Sequence, residues 1–330
     1  TLASLHLQTG DPAVIQQTVL DGGGSTVLTV DRYAGPQSRI TGFTIQNGDD
    51  GIFAFATTLI DNNYFTDTTD AVDYEGAGGI LRDNTFFNNS DDAIDLDGDS
   101  AVLIENNILL DSGNDGIEIR LQPYSGPTLE IIIRGNIIDG SLEDGIQIIG
   151  YDEVTDRVLR IERNQITNSA MAGLGLMDNA ETDEDFRAAS IPERIYLFNN
   201  TFSNNPYAVT GGDNMIALNN IFEGSTVLGL KNLDGGPNGS IVAHNLFWNN
   251  AVDHEGSNVD TGETISADPL LDEEYQLGPG SPAIDAGTAF YSWNGDVVLD
   301  MAPAEYVGAA PDLGMFEAGF AGPTPTNTPA

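Results

Sequence analysis

The chain has 330 residues, 40% of them hydrophobic, with 51 Asp and Glu against 11 Lys and Arg and a formal net charge of -40. The apolar content supports a sizeable core and argues against global disorder, while a field of that sign repels phosphate backbones and anionic lipid, argues against nucleic-acid or membrane-surface partners, and attracts cations. There is no Cys, so no disulfide framework and no thiolate metal site are open to it, and no apolar run reaches the roughly 18 residues needed to span a membrane.

In chain order, the first recognisable strings are Thr18-Val-Leu-Asp-Gly-Gly-Gly24 and Ile40-Thr-Gly-Phe43-Thr-Ile45. A unit then recurs: an apolar residue, two variable positions, Asn, any residue, and Phe, Ile or Leu. It centres on Asn63, Asn84, Asn107, Asn136, Asn164, Asn200, Asn220 and Asn245, with Phe43 in the same slot earlier. Successive slots lie 20, 21, 23, 29, 28, 36, 20 and 25 residues apart. Apolar residues alternate in each copy, which predicts strands, and no stretch has a helical stripe. A period near 20 with variable insertions predicts an all-β, single-stranded parallel β-helix of about nine to eleven coils, with three short strands per coil. Each recurring Asn is read as structural, its amide bonding local backbone and the Asn of the neighbouring coil.

A second strand follows each Asn copy. It reads Asp49-Asp-Gly-Ile-Phe53-Ala-Phe55, Thr69-Asp-Ala-Val-Asp73-Tyr-Glu75, Asp91-Asp-Ala-Ile-Asp95-Leu-Asp97, Asn114-Asp-Gly-Ile-Glu118-Ile-Arg120 and Glu143-Asp-Gly-Ile-Gln147-Ile-Ile149. Strand alternation turns Phe53, Asp73, Asp95, Glu118 and Gln147 outward in one column. Phe55, Glu75, Asp97, Arg120 and Ile149 form a second column, and Asp50, Asp70, Asp92, Asp115 and Asp144 stack at the strand entrance. In-register coils bring such carboxylates within about 5 Å of one another, where like charges repel. A bound cation removes that cost, and a set of carboxylate oxygens suits Ca²⁺ better than Mg²⁺. The expected ligands are Asp73, Asp91, Asp92, Asp95 and Glu118; the competing reading is a solvated acidic strip.

Insertions near residues 121–130, 150–158 and 178–193 are expected to wall a groove beside this face. Phe53, Phe55, Tyr124 and Tyr151 are the candidate sugar-stacking residues. Proton abstraction from a uronate needs a base. The single Lys, Lys231, lies several coils away, which leaves Arg120 as the candidate, with a salt bridge to Glu118 or Asp97 as its alternative role.

The opening strings resemble the early coils of the pectate-lyase-like superfamily of right-handed parallel β-helices. Asp268-Pro-Leu-Leu271, Ser281-Pro-Ala-Ile-Asp-Ala-Gly287 and Pro311-Asp-Leu-Gly-Met-Phe-Glu317 resemble a closing segment of secreted bacterial β-helix proteins. Asp91-Asp-Ala-Ile-Asp95 is similar to a calcium-binding string of one pectate-lyase family, in which an Asp of the preceding coil, here Asp73, completes the site. The resemblance implies a solenoid over residues 1–260 with its first coils or cap trimmed and a C-terminal capping segment over 261–320, while the alternation of Pro with Thr or Asn over 321–330 reads as a linker that joins a larger multidomain, extracellular chain. It implies an extracellular or cell-surface protein that takes polysaccharide or a cell-surface glycan as partner. Two function classes follow: a calcium-binding solenoid that binds glycan or serves structurally, and a calcium-dependent lyase acting on an acidic glycan.

Overall fold

The computed structural model describes residues 1–182, 189–232, 239–256 and 258–319. Among these residues, three parallel sheets of ten, eleven and ten strands account for nearly all regular structure. From Leu2–Ala3 to His254–Gly256 the chain visits the sheets in rotation, first, second, third, and each inner strand pairs with its equivalents one coil before and one coil after. This is the coiled solenoid that the repeat predicts. The linker at 321–330 and part of the 178–193 insertion lie outside the described residues.

One coil cannot bury its own apolar face; stacking produces the core. Inward residues at equivalent positions sit over one another, as in Ile60 and Leu81 of the first sheet and Ile94 and Ile117 of the third. Phe65 stacks on Phe86 with ring centroids 4.8 Å apart, and Phe202, Phe222 and Phe247 continue the column.

The corner between the first and second sheets holds the Asn ladder. The main-chain N–H and side-chain Nδ2 of each Asn donate to Oδ1 of the Asn one coil on, unbroken from Asn63 to Asn245. Nδ2 also donates to a carbonyl of the preceding coil, such as Ile104 O from Asn136 at 3.0 Å. The residue before each Asn turns the corner with positive φ, including Arg163 at 53° and His244 at 53°. A side chain rarely adopts that conformation, so the satisfied amide behind it fixes the turn.

The two ends depart from a plain solenoid. Short helices at His6–Thr9 and Ala13–Gln17 precede the regular coils and bury Ile15. At the other end, the strand Ile265–Ser266 still joins the second sheet. The chain then runs back along the flank of earlier coils. An antiparallel hairpin, Phe290–Trp293 with Asp296–Asp300, lays Tyr291, Trp293, Val298 and Leu299 on the outer side of the first sheet at Phe198, Ile216, Leu218 and Ile241. Leu313 and Ala283 pack on Ile221 and Leu246. Backbone bonds to Asn199 and Asn219 clasp this segment to the Asn corner.

Candidate acidic cation site

The third sheet carries the acidic strands Asp70–Glu75, Ile94–Asp97 and Ile117–Arg120, in register with one another. Phe53, Asp73, Asp95, Glu118 and Gln147 occupy one outward column, and Asp97 lies beside Glu75. Both follow from the strand period of two. The column continues to Gly175, paired with Gln147. A Cβ there would fall 1.5 Å from Asp144 Oδ2, so only glycine leaves room for that carboxylate.

At the strand entrance the aspartates form a second ladder. Oδ1 of Asp70 accepts the main-chain N–H of Asp92 at 3.2 Å. Asp92 Oδ1 accepts that of Asp115 at 2.8 Å, Asp115 Oδ1 that of Asp144 at 2.8 Å, and Asp144 Oδ1 that of Ala172 at 2.7 Å. Small residues follow each Asp because the chain turns its next Cβ inward; at Gly116 a Cβ would meet Ile138 Cγ2 at 2.6 Å. Asp92 and Asp115 are buried.

Two oxygen groups result. Asp70, Asp91 and Asp92 bring one carboxylate oxygen each within 4.8 Å of the others, and so do Asp92, Asp115 and Glu118. Of the expected ligands, Asp92 belongs to both groups, Asp91 to the first and Glu118 to the second. Asp73 and Asp95 lie in the adjoining column, where Oδ1 of each is buried without a hydrogen-bond partner. Asp70 and Asp115 complete the two groups. Both stand in the entrance column that the sequence shows, but only the ladder reveals that each carboxylate is anchored by one oxygen.

Crowding raises proton affinity. Burial, and then Asp91, pushes Asp70 up to about 7. Burial, with Asp50 and Glu75, pushes Asp73 up to about 8. Burial, with Glu118 and Asp97, pushes Asp95 up to about 9. Burial also lifts Asp92 and Asp115 well above the usual carboxylate range, helped by Glu118 at the former and Asp92 at the latter. All donors are hard oxygens: Asp70, Asp92 and Asp115 are each tied to a backbone N–H by one oxygen, Asp73 and Asp95 beside them each carry a buried oxygen without a partner, and Glu118 is paired with Arg120. Oxygen donors of this kind fit Ca²⁺; Asp70, Asp91 and Asp92 would hold an ion in the first group, and Asp92, Asp115 and Glu118 in the second.

Arg120 is placed in this field. Its Nε donates to Glu118 Oε1 at 2.5 Å and lies 3.7 Å from Asp97 Oδ1. Burial opposes its charge, but the Glu118 bond and the fields of Glu118, Asp95 and Asp97 outweigh that and raise its pKa. The proton a base must release is therefore held more firmly than in free arginine. Lys231 pairs in register with Glu255, on the fourth strand beyond that of Arg120 along this sheet, roughly 19 Å away at the usual strand spacing.

Phe53 and Phe55 pack edge to face with centroids 4.4 Å apart at the head of the acidic column, with the Arg32 guanidinium 5.8 Å from the Phe55 ring. Tyr124 lies in the insertion after Ile117–Arg120, its hydroxyl donating to Pro127 O, with the Arg157 guanidinium 5.4 Å from its ring centroid. Tyr151 is half-buried in the next insertion. The two tyrosines thus sit beyond the strand ends, apart from the phenylalanine pair. The insertions are tied to one another: Thr128 donates to Asp156, Thr155 to the buried Glu193, and Arg157 to Gln122 O and Gly98 O. Arg157 and Glu193, which hold this wall, carry no sequence pattern that marks them.

Residues 30–183 match the profile of a family described as the right handed beta helix region. Over that span the chain is similar to right-handed β-helices. Among solved structures it is similar to pectate lyase Pel9A, with 15% identity and a TM-score of 0.45, over 90% of this chain and 84% of that one. No curated protein matches the sequence. No helix among the described residues is long and apolar enough to cross a membrane.

Proposed function

We propose that this protein is a calcium-binding β-helix whose third face presents acidic, cation-loaded coils to a polysaccharide or cell-surface glycan. The observation that carries the reading is the aspartate ladder: Asp70, Asp92 and Asp115 each commit one oxygen to a backbone N–H, and Asp92 joins Asp70 and Asp91 in one oxygen group and Asp115 and Glu118 in another. A bound cation neutralises these carboxylates and offers its remaining coordination positions to hydroxyl or carboxylate oxygens of a sugar. Phe53 and Phe55 offer an apolar ring surface at one end of the column. Calcium sites of extracellular modules fill at roughly 10⁻⁴–10⁻³ M, and that is the range in which this site is expected to work.

The test is a thermal melt with calcium and with chelator. Calcium is expected to raise the melting temperature, and Asp92→Ala with Asp95→Ala to abolish the rise. Identical melts for the wild type in both conditions would reject the reading.

A calcium-dependent lyase is the second reading, favoured by the stacked insertions beside the acidic face. Pectate and alginate incubated with the protein and calcium would then yield the absorbance of unsaturated sugars. Silence on both leaves binding alone.

A further inference from the structure

On the strands from Asp70–Glu75 to Ile146–Ile149 of the third sheet, Arg120 is the one cationic side chain. It does not face solvent freely. Its Nε holds Glu118 Oε1 at 2.5 Å, and Glu118 is itself 4% exposed. The same Glu118 contributes an oxygen to the group formed with Asp92 and Asp115. One buried carboxylate therefore has two claimants, a guanidinium already in contact and a cation in the adjoining oxygen group.

The two cannot share it without cost. A guanidinium beside the oxygens repels an incoming divalent ion, and the repulsion is only partly screened, because Glu118 is buried although Arg120 is part-exposed. Without the ion, the guanidinium spares Glu118 from being a buried, unpaired charge. We infer that Arg120 is a built-in counter-ion that competes with calcium for Glu118, stabilising the ion-free coils and lowering the affinity of the site. This rests on the cation reading above and adds a residue that tunes it.

The two states give opposite signs, which a merely structural role does not. In Arg120→Gln the melt in chelator is expected to fall, because Glu118 loses its partner. Calcium binding by titration calorimetry, with calcium chloride alone as probe, is expected to tighten by roughly tenfold, because the repelling charge is gone. The rise in melting temperature on adding calcium grows accordingly. Arg120→Lys keeps the charge and is expected to stay near the wild type in affinity.

Wild-type binding with an unchanged or weaker affinity in Arg120→Gln overturns the inference and leaves the cation reading standing. No calorimetric binding by either protein overturns both. If Arg120→Gln does not fold, Glu118→Gln carries the test, alone and combined with Arg120→Gln. Neither then leaves a buried carboxylate at position 118 to be paired. Both are expected to fold, to bind calcium more weakly than the wild type, and to melt nearly alike in chelator. A double variant that melts below Glu118→Gln alone by more than the small loss expected from the part-exposed Asp97 contact overturns the inference, because Arg120 would then be stabilising chiefly something other than Glu118.

Discussion

Two polar columns run along this solenoid, and they solve the same geometric problem with opposite electrostatics. At the first corner the Asn column is buried, and each amide is fully used: Asn136 donates to Ile104 O, Arg134 O and Asn164 Oδ1, and accepts from the N–H and Nδ2 of Asn107. Such a ladder is complete in itself. At the entrance to the third sheet, the Asp column also caps backbone N–H groups of the next coil, yet a carboxylate brings no donor and carries charge. The amide column closes its own hydrogen bonding; the carboxylate column is left wanting protons or a cation.

An exchange of chemistry between the columns breaks the comparison most sharply. Asn136→Asp keeps the shape but removes both Nδ2 donors, which serve three acceptors, and places a charge among carbonyl oxygens. It is expected to cost about 3–5 kcal/mol, or to prevent folding, by urea denaturation. The loss is expected to be the same with calcium and with chelator, because no oxygen group adjoins that corner among the described residues. A calcium-dependent loss would mean that the two columns are coupled.

The next effect is on pH. Asp70, Asp73 and Asp95 titrate in the folded chain at about 7, about 8 and about 9, against 3.8 for an unperturbed aspartate. Across that interval the folded state holds protons that the unfolded chain has released. Stability in chelator is therefore greatest on the acid side and falls as pH climbs from about 4 toward 9. Bound calcium keeps the carboxylates ionised and flattens the slope. Melting curves at successive pH values with and without calcium measure both, and parallel curves would argue against a shared site.

The architecture was readable because its signals are periodic. Spacing near 20 residues and alternation gave the coils, and the ladder followed from one residue type in one slot. The columns Asp73–Asp95–Glu118 and Asp50–Asp70 were likewise readable once strands were assumed in register. The ligand grouping was not. Whether Asp92 meets Asp70 and Asp91 or Asp73 and Asp95 depends on which oxygen a backbone N–H captures, a side-chain torsion that has no period. The flank path of residues 265–319 was equally hidden, since its anchors, Asn199, Asn219 and Thr201, belong to the repeat itself.

A smaller effect runs the other way. Asp115→Asn keeps the oxygen that accepts the Asp144 N–H and removes one of the crowded charges. In chelator, at alkaline pH where the column is ionised, it is expected to stabilise the protein by about 1 kcal/mol, as relief of like-charge repulsion, while the gain from calcium shrinks. Melts of this variant in both conditions check it, and a loss of stability in chelator would show that the charges are not what strains the column. An exchange between amide and carboxylate thus destabilises one ladder and stabilises the other.

The smallest effect comes from the first sheet, which shows what charge does when its sign alternates. Along one outward column Asp61, Arg82, Glu105, Arg134 and Glu162 lie in successive coils. Arg134 holds Glu105 at 2.7 Å, and Arg39 reaches across to Asp61. Each charge is balanced within the chain, so no ion is called for. Arg134 is half exposed, and exposed pairs contribute little. Arg134→Ala is therefore expected to cost less than about 1 kcal/mol, with no difference between calcium and chelator. A calcium-dependent loss at Arg134 would show that the response to cations follows total charge, and the ladder on the third sheet would lose its special standing.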